Sequence, residues 1–445
     1  MVDINKMISD ENVKFIDIKY SDLAGILRHV TLPVSYLEKA LKNGVGFDGS
    51  SVVGFSSSGK SDLIVKPDIE TAHLDRLSEI RTLSFLGNIY NTDGTRFKMD
   101  PRYILEQTIN YLKKQKICDK VKFLPELEFY IFRNIEVSND KLNTYVRIDS
   151  DEQDIFKSYG GKSYHADAPR DLYFNFRSYA CELLEEMGIK VKYHHHEVGR
   201  YSQHEIELQF DTALKTADNI QIAKYYLKNL ALNNDLILTF MPKPIYNEAG
   251  NGLHFHQYLE KDGVSIFGDK KNILSDIGLN YIGGIIKHGR SIAAITNPST
   301  NSYRRLNSGF EAPVNLQYSE GCRETAIRIP AYIKDIKSID IEFRPPDATS
   351  NPYLAITSML LAGIDGIKNK IDPGTPAVYG RSYKRVKRIP LNLDEALSEL
   401  QRDNKYLTDT GVVDGEFIKK WIEIKRIESA TVSFHPHPFE FEIYF

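Results

Sequence analysis

The chain has 445 residues, of which 42% are hydrophobic and 26% are charged, and its formal net charge is −3. This composition is typical of a globular protein and argues against a strongly basic nucleic-acid-binding domain. A chain of this length is longer than one hydrophobic core usually organises, so we expect two or more domains.

Short strands separated by loops characterise the first hundred residues. Residues 13–19 and 62–68 have strand patterns, and a loop rich in glycine and serine lies between them. The pattern changes at residue 100, where Asp100 can cap a helix and Pro101 can begin it. We place a domain boundary there, which gives domains of residues 1–100 and 101–445.

Strand and helix patterns alternate in the second domain, so we expect a small strand-rich domain followed by a large mixed domain, which we class as α+β overall. The predicted helices are 177–187, 213–233, 279–294, 351–369 and 413–427. The predicted strands are 121–132, 189–196, 204–210, 252–259, 325–329 and 339–344.

The sequence carries no pattern for membrane insertion or secretion. Charged residues interrupt the N terminus where a signal peptide needs an apolar stretch. The longest apolar stretch, residues 353–364, is shorter than the roughly 20 residues that span a bilayer. Three cysteines, Cys118, Cys181 and Cys322, are too few and odd in number for a disulfide framework. We therefore expect a cytoplasmic protein with neither membrane nor nucleic-acid partners.

The segment GFSSSGKS, residues 54–61, matches the phosphate-binding pattern G-x-x-x-x-G-K-[ST]. A functional loop of that kind leads into a helix whose N terminus meets the phosphates. Here Lys60 and Ser61 lead into a strand pattern that ends at Pro67. We interpret the match as coincidence and expect nucleotide to bind elsewhere.

Acidic and basic side chains recur on one face of five predicted strands. Side chains alternate between the two faces of a strand, so Glu126 and Glu128 lie opposite Leu127 and Phe129. The same alternation groups Glu205 with Glu207, His254 with His256 and Tyr258, Glu342 with Arg344, and His195 with Glu197. A solvated sheet face would explain one such strand. Five of them predict a sheet that curls around a polar cleft.

Carboxylates with imidazoles favour hard divalent cations such as Mg²⁺ or Mn²⁺. Paired carboxylates on a strand repel each other unless a cation neutralises them. Zinc is disfavoured because no quartet of Cys and His has the spacing of a structural zinc site. The run His194–His196 is interpreted as strand packing, since adjacent strand residues diverge and cannot converge on one ion.

Arginines accompany these acids. Arg304, Arg305, Arg323, Arg328 and Arg344 can bind carboxylates and phosphates in bidentate fashion, although each taken alone also fits a surface ion pair. Divalent cations with several arginines are the components of phosphoryl transfer. By contrast, the basic run 379–390 lacks interleaved aromatic residues and is interpreted as a solvated loop.

Over nearly its whole length the sequence resembles glutamine synthetases of the bacterial and archaeal class I type, closest in length to the alpha subtype. The matching stretches are GFDGSS (46–51), SDLIVKPD (61–68), PELEF (125–129), HHHEV (194–198), QHE (203–205), MPKPIYNEAGNGLHFH (241–256), NPSTNSYRRL (297–306), GFEAPV (309–314), AIRIP (326–330), IEFRPPD (341–347), NPYL (351–354) and AGIDGIKNKI (362–371). The resemblance implies a small β-grasp domain and a large catalytic domain with a curved antiparallel sheet flanked by helices. It also implies a homo-oligomer, a dodecamer of two stacked hexameric rings, with each site shared between neighbouring subunits.

The implied reaction is ATP-dependent ligation of ammonia to the γ-carboxylate of L-glutamate through γ-glutamyl phosphate, giving glutamine, ADP and phosphate. By position, Glu128, Glu197 and Glu205 resemble the ligands of one cation, and Glu126, His254 and Glu342 those of a second. The other implied roles are ammonium binding by Asp48, Ser51 and Tyr164, glutamate binding by Gly250, Arg305, Glu311, Arg323 and Arg344, and ATP binding by His256, Tyr258, Arg323 and Arg328. In this scheme Asp48 accepts a proton from ammonium, Glu311 belongs to a closing flap and Arg323 faces phosphate, so these three are the implied catalytic residues.

Several positions depart from the family pattern. Ala249 stands where Asn is usual, and Lys192, Tyr258 and Asp340 stand where Glu, Ser and Arg are frequent. The last three put the adenosine pocket in doubt, and Tyr258 is a candidate for stacking on a purine.

Two kinds of regulation known in the family are not expected here. Ser57 replaces an arginine used for glutamine feedback in the alpha subtype, and Tyr379 lacks the sequence context of an adenylylation site.

Two alternative functions stay open: a γ-glutamyl ligase that uses an organic amine, and a catalytically silent ring-forming relative. Asp48 and Ser51 favour ammonium, because a carboxylate pocket suits a small cation. Six retained ligand positions favour an active enzyme, because buried carboxylates cost free energy that a silent protein need not spend.

Overall fold

The computed structural model describes residues 3–55, 61–155, 162–270, 274–307, 309, 312–378 and 386–445. The first part of the chain forms a six-stranded sheet with two helices. Its strands are β1 (Phe15–Ser21), β2 (Leu27–Pro33), β3 (Val45–Asp48), β4 (Asp62–Pro67), β5 (His73–Asp75) and β6 (Thr82–Asn91), and its helices are α1 (Ile4–Asp10) and α2 (Leu37–Asn43). The strand order is β2-β1-β6-β4-β3, with β5 also on β6, and only β1 and β6 run parallel.

A second sheet of ten strands carries the polar residues singled out in the sequence. Its strands are β7 (Lys120–Phe132), β10 (Val191–His196), β11 (Gln203–Leu208), β12 (Asp211–Thr212), β13 (Ile237–Thr239), β14 (Leu253–Lys261), β15 (Val264–Ser265), β16 (Asn315–Glu320), β17 (Thr325–Ile329) and β18 (Ile341–Phe343). The main order is β10-β11-β7-β14-β18-β17-β16, antiparallel except for the parallel pair β16–β17. A separate hairpin consists of β8 (Asn134–Asn139) and β9 (Thr144–Asp149).

Helices accompany this sheet along the second part of the chain. They are α3 (Pro101–Gln115), α4 (Phe174–Glu186), α5 (Ala213–Leu232), α6 (Asp276–Thr296), α7 (Ser302–Arg305), α8 (Pro352–Asn369), α9 (Leu393–Arg402), α10 (Lys405–Thr408), α11 (Gly415–Ser433) and α12 (Pro438–Tyr444). Asp100 caps α3 by accepting a hydrogen bond from the Arg102 amide at 3.0 Å, as the sequence predicts. Leu127 and Phe129 of β7 are fully buried on the core side, whereas Glu126 and Glu128 face the other way.

Buried polar contacts attach the small sheet to the helices of the large one. The Arg102 side chain donates to Asp218 at 3.0 Å and to Asn88 at 2.7 Å. Asn351, which caps α8, donates to Ser21 at 3.2 Å and to the carbonyl of Asp22 at 2.9 Å. These contacts fix the small sheet relative to the polar face of the large one.

The predicted helices and strands are all present, with ends shifted by a few residues. The largest extension is that of the predicted helix 413–427, which continues to Ser433. The predicted strand 339–344 shortens to Ile341–Phe343, because prolines 345 and 346 cannot donate ladder hydrogen bonds. Among the described residues, no helix is both long enough and apolar enough to cross a membrane.

Two predictions about loops have different outcomes. Asp62–Pro67 is a strand, which agrees with rejecting the phosphate-loop match, while residues 56–60 lie outside the described residues. The basic run 379–390 is predicted to be a solvated loop, and its described end, residues 386–390, is not one. Residues 379–385, with Tyr379, lie outside the described residues, and the backbone beyond them pairs with the start of β16 because buried Ile389 anchors it.

Candidate active site

The register of the large sheet brings the predicted polar side chains together. Glu205 pairs with Glu128, and His254 pairs with Glu126 on the other side of β7. His256 pairs with Glu342 one strand further along. Directly paired residues share a face of the sheet, so the five predicted segments converge on a single cavity of about 1480 Å³.

The first group of candidate metal ligands consists of Glu126, His254 and Glu342. Their ligand atoms all lie within 4.8 Å of one another. His254 Nδ1 is 2.6 Å from Glu126 Oε2 and 3.7 Å from Glu342 Oε1. This is the trio that the sequence resemblance assigns to one cation.

The second group consists of His195, Glu197 and Glu205, again within 4.8 Å. His195 Nε2 is 3.5 Å from Glu205 Oε1, and His195 Nδ1 is 3.9 Å from Glu197 Oε1. Glu128, the third member predicted from the resemblance, lines the same cavity, and its Oε2 accepts the Gly252 amide at 2.5 Å. His195 is therefore an additional candidate ligand.

The two groups differ in electrostatics. Burial opposes ionisation of Glu126, but hydrogen bonds from His254 and His256 hold its pKa well below the ordinary value. Burial and repulsion from Glu205 and Glu128 raise the pKa of Glu197 well above its ordinary value. Burial, Glu126 and Glu128 do the same to the pKa of Glu205. The second group thus lacks compensating charge, and a divalent cation would supply it.

A third group, Glu126, Glu207 and His256, also has ligand atoms within 4.8 Å. Here the chain provides its own cation, because Lys192 Nζ lies 2.5 Å from Glu207 Oε1. His256 sits between Asp340 at 2.9 Å and Glu126 at 3.0 Å, and these carboxylates outweigh burial and raise its pKa. His256, an expected ATP ligand, already uses both ring nitrogens on carboxylates.

The arginines are engaged with the candidate ligands and with backbone carbonyls. Arg328 contacts Glu342, and Arg344 Nε donates to the same carboxylate at 2.9 Å. Arg305 is buried and donates to the carbonyls of residues 345, 346 and 344 at 2.7, 3.2 and 3.1 Å. One of its terminal nitrogens also lies 3.2 Å from His254 Nε2. Arg305, expected to hold glutamate, thus also orients a candidate cation ligand.

Two glycines permit this packing. A Cβ on Gly250 would lie 2.5 Å from the Pro242 carbonyl oxygen and 2.8 Å from Arg305 Cγ. A Cβ on Gly252 would lie 2.5 Å from His254 Nε2 and 2.6 Å from a terminal nitrogen of Arg305. Gly250 was expected to contact glutamate and does line the cavity. Gly252 was not singled out, because its requirement comes from residues that meet it only in the fold.

Tyr164 and Arg323 stand together at the cavity wall. The Arg323 side chain hydrogen-bonds the Tyr164 phenol, and both residues line the cavity. The Tyr164 ring stacks on His165 with centroids 4.1 Å apart, and His165 in turn meets His195 edge-on at 4.5 Å. His165 was not identified from the sequence, because only the fold shows that it contacts His195.

Other expected site residues lie elsewhere. Asp48 and Ser51 are exposed on the small sheet, hydrogen-bonded to each other at 2.8 Å, and are absent from the described lining of the large cavity. Two serine side chains, Ser50 and Ser51, lower the pKa of Asp48. Tyr258 packs edge-on against Phe210 with centroids 5.0 Å apart and is likewise outside that lining. Glu311 and Ser57 lie outside the described residues.

A β-grasp-like small sheet, together with a larger sheet whose cavity gathers carboxylates, imidazoles and arginines, defines a metal-dependent enzyme acting on anionic substrates. Residues 12–92 match the family described as glutamine synthetase, beta-Grasp domain, and residues 98–444 match glutamine synthetase, catalytic domain. The chain belongs to the glutamine synthetase family. It catalyses the ATP-dependent synthesis of glutamine from glutamate and ammonia, and it depends on a divalent metal.

Curated relatives and solved structures agree with this assignment. The glutamine synthetase of Streptomyces coelicolor is 39% identical over 464 residues, covering 100% of this chain and 98% of the relative. That of Nostoc sp. is 40% identical over 467 residues with the same coverage. The solved glutamine synthetase of Plasmodium falciparum superposes with a TM-score of 0.91 at 27% identity, covering 100% of this chain and 99% of the other. A GmaS/ADP complex superposes with a TM-score of 0.84 at 25% identity and the same coverage.

Proposed function

We propose that two divalent cations, Mg²⁺ or Mn²⁺, are held by the two carboxylate groups of the cavity. In this assignment Glu126, His254 and Glu342 hold one ion, and Glu128, Glu197 and Glu205 hold the other, with His195 beside them. The observation that supports it is that the ligand atoms of Glu126, His254 and Glu342 lie within 4.8 Å of one another, as do those of His195, Glu197 and Glu205. Glu128 lines the same cavity. Hard oxygen donors with one imidazole suit these ions better than zinc or copper.

The rest of the cavity then acts on the substrates. Bound cations would neutralise the charge that develops during phosphoryl transfer. Gly250, Arg305 and Arg344 would hold the amino and carboxyl groups of glutamate, while Arg323 and Arg328 would face the phosphates. Phosphorylation of the γ-carboxylate gives γ-glutamyl phosphate, which ammonia attacks. The sequence resemblance assigns Glu311, which lies outside the described residues, to a flap that would limit attack by water on this intermediate.

The cation assignment can be tested by measuring Mn²⁺ binding and catalysis together. Electron paramagnetic resonance of the purified protein should reveal two Mn²⁺ sites. We expect Glu205→Gln to weaken one site and Glu342→Gln the other, each with loss of ATP-dependent amide formation. If neither variant changes either affinity, the ligand assignment is wrong.

We further propose that Asp48 and Ser51 complete the cavity of a neighbouring copy, in a dodecamer of two hexameric rings. Both residues are exposed on the small sheet and outside the described lining of their own chain's cavity, which supports a contribution in trans. The depressed pKa of Asp48 keeps it a carboxylate, able to attract ammonium and accept its proton.

Mixed oligomers test this arrangement directly. Chains carrying Asp48→Ala and chains carrying Glu205→Gln are each expected to be inactive alone. In mixed rings isolated through two different affinity tags, about a quarter of the interfaces would combine an intact Asp48 with an intact Glu205 and regain activity. Mixed oligomers as inactive as their parents would contradict the shared site.

Ligation of an organic amine is the second candidate reaction. Ala249, which replaces the usual Asn beside Gly250, is the departure nearest the proposed glutamate site. A competition assay with equal concentrations of ammonium and methylamine distinguishes these reactions by the mass of the amide product. An excess of the methylamide would favour the amine ligase. No amide product at all would favour a silent relative.

A further inference from the structure

A buried, hydrogen-bonded pair of side chains lies behind the second carboxylate group, on the side of β10 that faces away from the cavity. His196 Nε2 is 2.8 Å from Glu152 Oε2, and both side chains have no solvent-exposed area. His196 Nδ1 lies 2.7 Å from the carbonyl oxygen of Glu197. The pair therefore touches the main chain of a proposed cation ligand.

The hydrogen-bond partners define the orientation of this imidazole. A carbonyl oxygen only accepts hydrogen bonds, so His196 Nδ1 donates to the Glu197 carbonyl. His196 Nε2 and the Glu152 carboxyl group share the second hydrogen bond. Buried polar groups cost free energy when they are left without a partner, so removing one member of the pair leaves the other unsatisfied.

The same pair secures the wall that carries Tyr164. Glu152 Oε1 accepts the Leu172 amide at 3.0 Å. The carbonyl of His196 accepts the His165 amide at 3.0 Å. Through these bonds the pair joins the end of β10, the segment around Tyr164 and the start of α4.

We infer that Glu152 and His196 are positioning residues, which hold Glu197 in the place from which its carboxylate can bind a cation. The inference rests on the proposed role of Glu197 as a ligand. Glu197, Glu205 and Glu128 repel one another in a buried site, so an unanchored strand end would let Glu197 move away. The hydrogen bond from His196 to the Glu197 carbonyl opposes that movement.

Two substitutions at His196 distinguish a role in positioning Glu197 from a general contribution to the stability of the fold. The amide nitrogen of Asn occupies nearly the place of His Nδ1, and that of Gln nearly the place of Nε2. His196→Asn can therefore keep the bond to the Glu197 carbonyl, whereas His196→Gln keeps only the contact with Glu152. Both replace the buried imidazole ring with a smaller amide, so a structural role alone would affect them alike.

The readout is Mn²⁺ binding to the nucleotide-free protein, followed by electron paramagnetic resonance, with the Glu205→Gln protein identifying the affected site. We expect His196→Gln to weaken that site about 10- to 100-fold, the range found when partners of metal ligands are removed, and His196→Asn to weaken it less than about threefold. The other site should keep its affinity in both variants.

Substitutions of Glu152 give an independent check if a His196 variant does not fold. Glu152→Gln can donate to His196 Nε2 and still accept the Leu172 amide, so it should retain Mn²⁺ affinity, whereas Glu152→Ala should not. The matched control is Asp403→Asn, because His288 is also a buried histidine with both ring nitrogens hydrogen-bonded, to Asp403 at 2.7 Å and Asp365 at 2.9 Å, and it lies outside the described cavity lining. It should leave both Mn²⁺ affinities unchanged.

The outcomes are distinguishable. Equal affinities in His196→Asn and His196→Gln, or in Glu152→Gln and Glu152→Ala, would overturn the positioning role while leaving the ligand assignment intact. If the Glu205→Gln variant binds Mn²⁺ as the parent protein does, the ligand assignment is wrong, and this inference is wrong with it.

Discussion

Gly252→Ala should disable the site through one methyl group. The new Cβ would lie 2.5 Å from His254 Nε2 and 2.6 Å from Arg305, whereas ordinary contact begins at about 3.4 Å, so one or both side chains must retreat by about 0.9 Å. His254 is buried and bound to Glu126, and Arg305 is tied to three carbonyls, so neither can yield freely. Displacements near 1 Å cost about 10²-fold in rate, and overpacking costs about 1–3 kcal/mol of stability.

The assay compares kcat/KM for ATP-dependent glutamine formation, Mn²⁺ affinity and thermal unfolding. We expect about 10²-fold loss of kcat/KM and weaker binding at the site containing His254, since distorted surroundings of a ligand typically cost 10- to 100-fold in affinity. The matched control is Gly415→Ala, whose added Cβ meets nothing within 4 Å and which should behave like the parent. Parent-like catalysis and Mn²⁺ binding in Gly252→Ala would refute the steric reasoning.

Three further predictions follow from the electrostatics and packing of the site. Because the pKa values of Glu197 and Glu205 are raised, their ionisation destabilises the metal-free protein as pH rises, and at low pH protons compete with cations for the same carboxylates. Mn²⁺ should therefore raise the Tm measured by calorimetry more at pH 8 than at pH 5.5. Equal increases in Tm at the two pH values would contradict this prediction. Lys192→Glu should place a second negative charge beside Glu207 and lower Tm. The double variant Lys192→Glu/Glu207→Lys, which exchanges the two charges, should recover most of the lost Tm. A double variant with a Tm no higher than that of Lys192→Glu would argue against the ion pair as the cause. If Tyr258 stacks on the purine, Tyr258→Ser should change the ratio of kcat/KM for ATP and GTP, and an unchanged ratio counts against the stacking hypothesis.

Period-two alternation predicted the polar face of the sheet well, because it is a local property of each strand. Which strands neighbour one another is not local. The register that sets Glu205 opposite Glu128, and His254 opposite Glu126, depends on pairings between residues 77 to 128 positions apart, and only the fold reveals it. The family resemblance supplied that information for the six proposed ligands but not for His195 or Gly252.

Lys192 shows how a local irregularity defeats the alternation rule. Strict alternation assigns Lys192 to the face of β10 that carries His194 and His196, away from His195. A bulge between Val191 and Tyr193 shifts the register, and Lys192 reaches Glu207 instead. Bulges re-aim side chains in this way, and a single sequence gives little sign of where they occur.

The two proposed cation sites balance their charges by different means. Around Glu126 and Glu342 the chain supplies imidazoles and arginines, so that group is largely compensated before any ion arrives. Glu197 and Glu205 remain carboxylates whose ionisation is opposed by burial and by neighbouring acids. Burying these carboxylates costs folding free energy, which favourable contacts elsewhere in the core must offset. The arrangement therefore does not serve stability. Strongly perturbed carboxylates in a cleft are characteristic of functional sites, and the raised pKa values of Glu197 and Glu205 lie where an ion from solution would relieve them.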